Sequence, residues 1–135
     1  MTAAIYIAMF IGIVAAIAGT SMLLWRGWIA SMPSPPNWQE AFRFLWVDLY
    51  GMPWEQRPRV IWVAAPFVSG GRMVSGKADI GAVTVVAASR VSDTSLAHEL
   101  WHEARRLTGL FPDPDHLTDW SFVDRAQAAL RERGL

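Results

Sequence analysis

"SLAHELWHEARRLTG", residues 95–109, is the stretch on which the reading of this chain turns, because His98 and His102 stand four apart with Glu99 between them. In an α-helix, positions i and i+4 share a face, so both imidazoles can be presented to a common point. The flanks favour a helix. Ser92, Asp93 or Thr94 can cap its first turn, Arg105 and Arg106 suit the negative end of the helix dipole, and Gly109 is a natural stop. Neutral imidazole is a good zinc ligand in tetrahedral nitrogen and oxygen sites. Glu99 projects to the side of the pair, where its carboxylate can reach a water held by the metal without itself being a ligand. The division of labour is then physical: the metal acidifies the water, and Glu99 takes its proton as it attacks a carbonyl. The competing reading is a pair of solvated histidines on an ordinary surface helix.

A third ligand must come from elsewhere. The 135-residue chain has no cysteine, which excludes thiolate metal sites, a thiol nucleophile and a disulfide framework. His116 is the only other histidine, and the seven residues 110–116 can span up to ~23 Å when extended, enough to return to the pair. Asp113 and Asp115 are rival ligands whose ordinary role is helix capping. Asp119, one turn past His116 on a helix, is expected to orient the His116 ring. That last helix is expected to start with Asp113 as cap and Pro114 at its first position, and to run to about Arg133.

Upstream, Asn37 can cap a helix through "WQEAFRFLWVDLYG", in which Trp38, Phe42, Leu45 and Leu49 recur at helical spacing before Gly51. "RVIWVAAPFV" (59–68) reads as a strand, and so does "AVTVVAAS" (82–89). "SGGRMVSGKADIG" between them supplies turns; its Arg72 and Lys77 lack the pattern of a phosphate-binding loop. Leu100 and Trp101 are expected in the core behind the histidine face, Glu103 with Arg105 and Arg106 on a solvated face, and Tyr50 in packing rather than at an oxyanion.

"HELWH" as it stands here resembles the signature of the zincin metallopeptidases, and the order of elements over residues 38–133 is similar to theirs. The resemblance implies an α+β zincin-like domain, with the motif on an active-site helix packed against a small sheet. It also implies zinc as cofactor, Glu99 as catalytic general base, and a peptide substrate lying along the sheet edge, a position given by analogy to residues 82–89. Arg105 and Thr108 stand where a metzincin carries glycine and a third histidine, so that branch is excluded. A third ligand on the following helix is similar to the gluzincin layout, except that this chain offers His116 in place of glutamate. The expected metal set is therefore His98, His102 and His116.

The first 25 residues carry no charge, and "AAIYIAMFIGIVAAIAGTSMLLW" (3–25) is long enough as a helix to cross a hydrocarbon core of about 30 Å. Trp25 and Trp28 flank it as interfacial aromatics do. A cleaved signal peptide with "AIA" (16–18) at its cleavage site is the alternative, but no basic residue precedes the apolar run. The expected organisation is a transmembrane anchor over residues 1–28, a proline-rich linker over 29–37 and the metallohydrolase domain over 38–135. Arg26 and Arg43, which follow the anchor, place the domain weakly on the cytoplasmic side. Twelve basic and twelve acidic residues leave no electrostatic footprint for nucleic acid. The functional expectation is a single-pass, membrane-anchored zinc peptidase, its partners a peptide substrate and the lipid bilayer. Two alternatives stand beside it: a peptidoglycan cross-link endopeptidase of an envelope or a membrane-containing virion, and a non-catalytic membrane-anchored protein with a structural metal site.

Overall fold

A computed structural model of the chain describes residues 3–31, 34–110 and 116–135. It divides into two compact units, Met1–Ser31 and Met32–Leu135. The first is one helix, α1 (Ala3–Ser31), which continues three residues past the expected end of the anchor at 28. Its segment Ala3–Leu23 is long and apolar enough to cross a membrane by length and composition.

The second unit mixes helix and sheet. Helix α2 (Trp38–Arg43) starts without the side-chain cap expected of Asn37, whose backbone is left-handed with φ 57°. It runs on into a π-helical turn over Phe44–Leu49, closed by Tyr50 N–H donating to the Leu45 carbonyl at 2.9 Å. The wider turn inserts one residue per coil relative to an α-helix and so re-aims the side chains that follow it. Leu45 and Trp46, within this turn, are fully buried.

The expected long strand over 59–68 is broken. Arg59–Val63 forms β1, whereas Phe67–Ser69 (β2) turns away and pairs antiparallel with Arg72–Val74 (β3) as a separate hairpin. Pro66 at the break cannot donate to a ladder, which accounts for the division. The stretch expected as turns around a short, glycine-bordered segment contributes, besides β3, a further strand, Gly76–Asp79 (β4). β5 (Ala82–Val86) joins β1 in parallel and β4 antiparallel, so the sheet order is β1-β5-β4. The segment assigned by analogy to the sheet edge is therefore its centre, and the edge beside the site is β4. Along β5 the side chains alternate, and Val83 and Val85 point the same way into the core and are fully buried.

Helix α3 (Leu96–Leu107) lies over β4 and β5, with α4 (Ser121–Glu132) and the π-helical turn also packed against it. Leu96, Ala97, Leu100 and Ala104 make the buried stripe of α3, at the three- and four-residue spacing that lines one helix face. Val123, Ala126 and Leu130 do the same for α4. The core runs from Ala41 to Leu135, all of it within the second unit.

Candidate metal centre

The site is built on α3, and the start of that helix is set locally. The N-cap position falls on Ser95, whose side chain makes no cap bond. Thr94 Oγ1, one residue before it, accepts the Leu96 N–H at 3.2 Å, so of the expected Ser92–Thr94 group Thr94 satisfies the first turn, while Val91–Asp93 forms a short 3-10 turn. At the other end Leu110 N–H reaches the Arg105 carbonyl and Gly109 N–H the Arg106 carbonyl, with Gly109 at φ 74°. Those two bonds are a Schellman closure, which needs a left-handed residue and so favours glycine.

Helical spacing sets the rings of His98 and His102 side by side, their centroids 5.0 Å apart. His116 joins them from the segment between α3 and α4, with centroids 4.6 Å from His98 and 5.3 Å from His102. Ligand atoms from the three rings all lie within 4.8 Å of one another, close enough to bind a metal ion. The His102 and His116 Nε2 atoms are 3.3 Å apart. Two zinc–nitrogen bonds of about 2.0–2.1 Å at a tetrahedral angle subtend about 3.3–3.4 Å, which is the spacing of this one pair. Burial, then the charges of His102 and His116, lower the His98 imidazole to about 4, which keeps it neutral and able to ligate at neutral pH.

His116 is not in the first turn of a helix as expected. The helix it was to open begins at Ser121, and His116 has a left-handed backbone, φ 54°, which is uncommon for a residue with a Cβ. Asp119 does not serve the His116 ring as expected either. Its Oδ1 accepts the Ser121 N–H at 2.8 Å and its Oδ2 the Ser121 hydroxyl at 3.0 Å, which ties down the first turn of α4. Asp113 and Asp115, the rival ligands, and Pro114 lie outside the described residues.

Glu99 is 6 % exposed and lies against β4. Burial raises its carboxyl to about 7, against a backbone hydrogen bond from Ala78 that favours the charged form. The ladder explains that bond. Val86 N–H donates to the Ser75 carbonyl, so the odd-numbered residues of β4 face β5, and Gly76 and Ala78 turn their backbone groups outward. Gly76 is in contact with the same carboxylate: a Cβ there would meet Ser95 Oγ at 2.2 Å and Glu99 Oε1 at 2.6 Å. Ser95 Oγ itself donates to the Ser75 carbonyl at 3.0 Å.

Glu103, expected on a solvated face, is 2 % exposed. One turn after Glu99, it accepts the Gly81 N–H at 2.9 Å, and the Arg106 guanidinium donates to both of its oxygens. Burial alone would raise its carboxyl; the bonds from Arg106 and Gly81 and the Arg106 charge outweigh that and hold it below the usual range. Glu99 and Glu103 thus fasten β4 and its turn along one side of α3, and they line the same cleft as His98 and His102. A charged pair looked solvent-exposed from sequence because its partner, the Gly81 amide, arrives from a distant turn.

Tyr50 packs as expected. Its hydroxyl donates to the Ala97 carbonyl at 2.7 Å and its ring rests on Trp101 and Phe122, away from the histidine face. Leu100 is fully buried and Trp101 packs against the core. Arg72 lies in β3, and Lys77 in β4 pairs with Asp79 at 3.0 Å. His98, Glu99, His102 and His116 all open onto one cleft of about 1310 Å³, walled by β4 on one flank and by Asp124, Gln127 and Arg131 of α4 on the other. Trp120 is the residue that the sequence reading missed. Its ring centroid lies 4.8 Å from His98 and 4.5 Å from both His102 and His116. The only local sign of it was an aromatic four residues after a histidine. No protein-family model, curated protein or solved structure matches this chain.

Proposed function

We propose that this chain is a membrane-anchored, zinc-dependent hydrolase acting on peptides. The observation that supports the reading most is the convergence of His98, His102 and His116 beside a buried Glu99 in a cleft bounded by a strand edge. Three imidazole nitrogen donors suit zinc far better than magnesium or calcium, which prefer oxygen ligands. Bound there, the ion would acidify a water and polarise a carbonyl. Glu99 accepts the proton. A carboxyl poised at about 7 is matched to proton transfer at neutral pH, and its burial against β4 fixes where that transfer happens.

An extended peptide pairs with β4 through the outward backbone groups of Gly76 and the Ala78 carbonyl, the strand-addition mode by which exposed sheet edges bind peptides. The edge role given by analogy to residues 82–89 passes to β4. Helix α1 anchors the domain in a single pass, and Arg26 and Arg43 favour the cytoplasmic side.

The test is hydrolysis of a peptide library and of purified cell-wall fragments by the full chain and by Glu99→Gln at equal zinc occupancy. Glutamine keeps the volume and hydrogen bonding but cannot accept the proton, so the variant keeps its zinc and loses ~10²- to 10⁴-fold in rate. A wild type that cleaves nothing, or a variant that cleaves as fast, would leave a structural metal clip as the better account.

A further inference from the structure

His116 is held in an uncommon left-handed backbone on a segment that belongs to neither α3 nor α4, yet its ring meets the other two to within bonding distance of a shared ion. Something must fix that ring. A metal-ligating histidine is ordinarily oriented by a hydrogen-bonded carboxylate or carbonyl behind it. Among the described residues, the carboxylate nearest in sequence, Asp119, has both oxygens on Ser121.

What lies against all three imidazoles is Trp120. The indole stacks on His98 with an interplanar angle of 25°, meets His102 at 53° and meets His116 nearly edge-on at 68°. The four ring centroids form a compact tetrahedron whose edges run from 4.5 to 5.3 Å. Among the described residues that line the cleft, the three histidines are present and Trp120 is not, so the indole contacts the cluster without walling the cleft. The neighbouring structure holds the indole in turn. Asp119 and Ser121 fix the turn on either side of it, and Phe122 packs at a tilt against Trp101 and Tyr50.

We infer that Trp120 is the positioning residue of the metal centre: its indole is the wall that gathers the His98, His102 and His116 imidazoles into one donor set. The inference rests on the metal reading of the three histidines and not on any catalytic activity. An aromatic face suits the task because imidazoles gain positive character when they bind a cation, and that character is attracted to the indole face. The wall therefore favours the loaded site over the empty one. It also gathers the rings before the ion arrives, which lowers the ordering cost of binding.

The test uses the full chain in detergent, with Zn²⁺ titrated in competition with a chelating dye and folding monitored by far-UV circular dichroism. Trp120→Ala weakens Zn²⁺ binding ~10- to 100-fold, the range expected when a residue that orients a metal ligand is removed. Trp120→Phe, which keeps an aromatic face, stays within about threefold of wild type. A purely structural tryptophan would lower the melting temperature without moving the affinity, so a folded Trp120→Ala that binds Zn²⁺ as tightly as wild type overturns the inference. A Trp120→Phe as weak as Trp120→Ala overturns it too.

Should Trp120→Ala fail to fold, Co²⁺ supplies the second measurement. The chain has eight tryptophans, and the ion at the site quenches most strongly the one against its ligands. Wild type then loses clearly more fluorescence on Co²⁺ binding than Trp120→Phe does, and equal losses overturn the inference. A wild-type chain that takes up neither ion removes the metal reading itself, a result distinct from a loss confined to the Trp120 variants.

Discussion

Gly76→Ala offers a direct test of how β4 is seated on α3. The backbone at Gly76 is not left-handed, so glycine is required there for space and not for conformation. The added methyl would lie 2.2 Å from Ser95 Oγ, 2.6 Å from Glu99 Oε1 and 2.8 Å from Glu99 Cγ, whereas non-bonded carbon contacts settle at about 3.5–4.0 Å. Both side chains must therefore move. Ser95 loses its bond to the Ser75 carbonyl, worth about 0.5–1.5 kcal/mol, and the strain of overpacking adds about 1–3 kcal/mol. Against this, alanine restricts the unfolded chain and returns about 0.4–1 kcal/mol. The net expectation is a loss of roughly 1–3 kcal/mol, at about 4–8 °C of melting temperature per kcal/mol for a domain of this size.

The assay is thermal and urea unfolding of the metal-free domain cut at residue 34, a segment that contains the whole core. Because Ser95 Oγ is the nearest atom to the new methyl, the added cost of Gly76→Ala should be smaller in a Ser95→Ala background, by at least about 0.5 kcal/mol of coupling. The histidines are untouched, so Zn²⁺ affinity is unchanged while any Glu99-dependent hydrolysis falls. A Gly76→Ala domain within about 0.5 kcal/mol of the parent, or strict additivity with Ser95→Ala, would refute the contact and the seating of Glu99 drawn from it.

His116→Ala should weaken Zn²⁺ binding by orders of magnitude, whereas Asp113→Ala and Asp115→Ala leave it nearly intact; metal retained in the first and stripped in either of the others reverses the ligand assignment. Tyr50→Phe leaves the Ala97 carbonyl without its hydroxyl donor and should cost about 1–2 kcal/mol in urea unfolding with no change in metal affinity. Glu103 contributes stability in its charged form, and its folded carboxyl titrates below the ordinary 4.5. Its contribution is therefore complete above about pH 4.5 and is lost as pH falls through the lower folded value, so the stability gap between wild type and Glu103→Gln narrows only in that acidic window. A gap that is flat from pH 7 to pH 3 contradicts the Arg106 and Gly81 bonds.

The pairing of His98 with His102 was legible in the sequence because it depends only on the pitch of one helix. The bonds that close the ends of α3 at Thr94 and Gly109 follow for the same reason, since each spans five residues or fewer. The apolar character of α1 is compositional, and the buried stripe of α3 is periodic, so both could be read before any fold was known. What the sequence could not supply were contacts that depend on distant parts of the chain meeting. "AVTVVAAS" looked like a substrate edge until β4, read as turns around a short, glycine-bordered segment, paired along its flank; two alternating valines say that a strand is buried, not which strands lie beside it. Glu103 looked solvated because its amide partner at Gly81 comes from the far end of a hairpin.

The third histidine shows the division most clearly. Sequence could supply His116 as a candidate and bound its reach, but a chain of seven residues permits many closures. In the structure the chain takes one of them, with a turn at Asp119–Ser121, a left-handed backbone at His116 and its ring against the indole of Trp120. Helical pitch is a property of the local backbone and pairs two of the histidines. The third depends on how α4 packs against α3, and only the tertiary structure decides that.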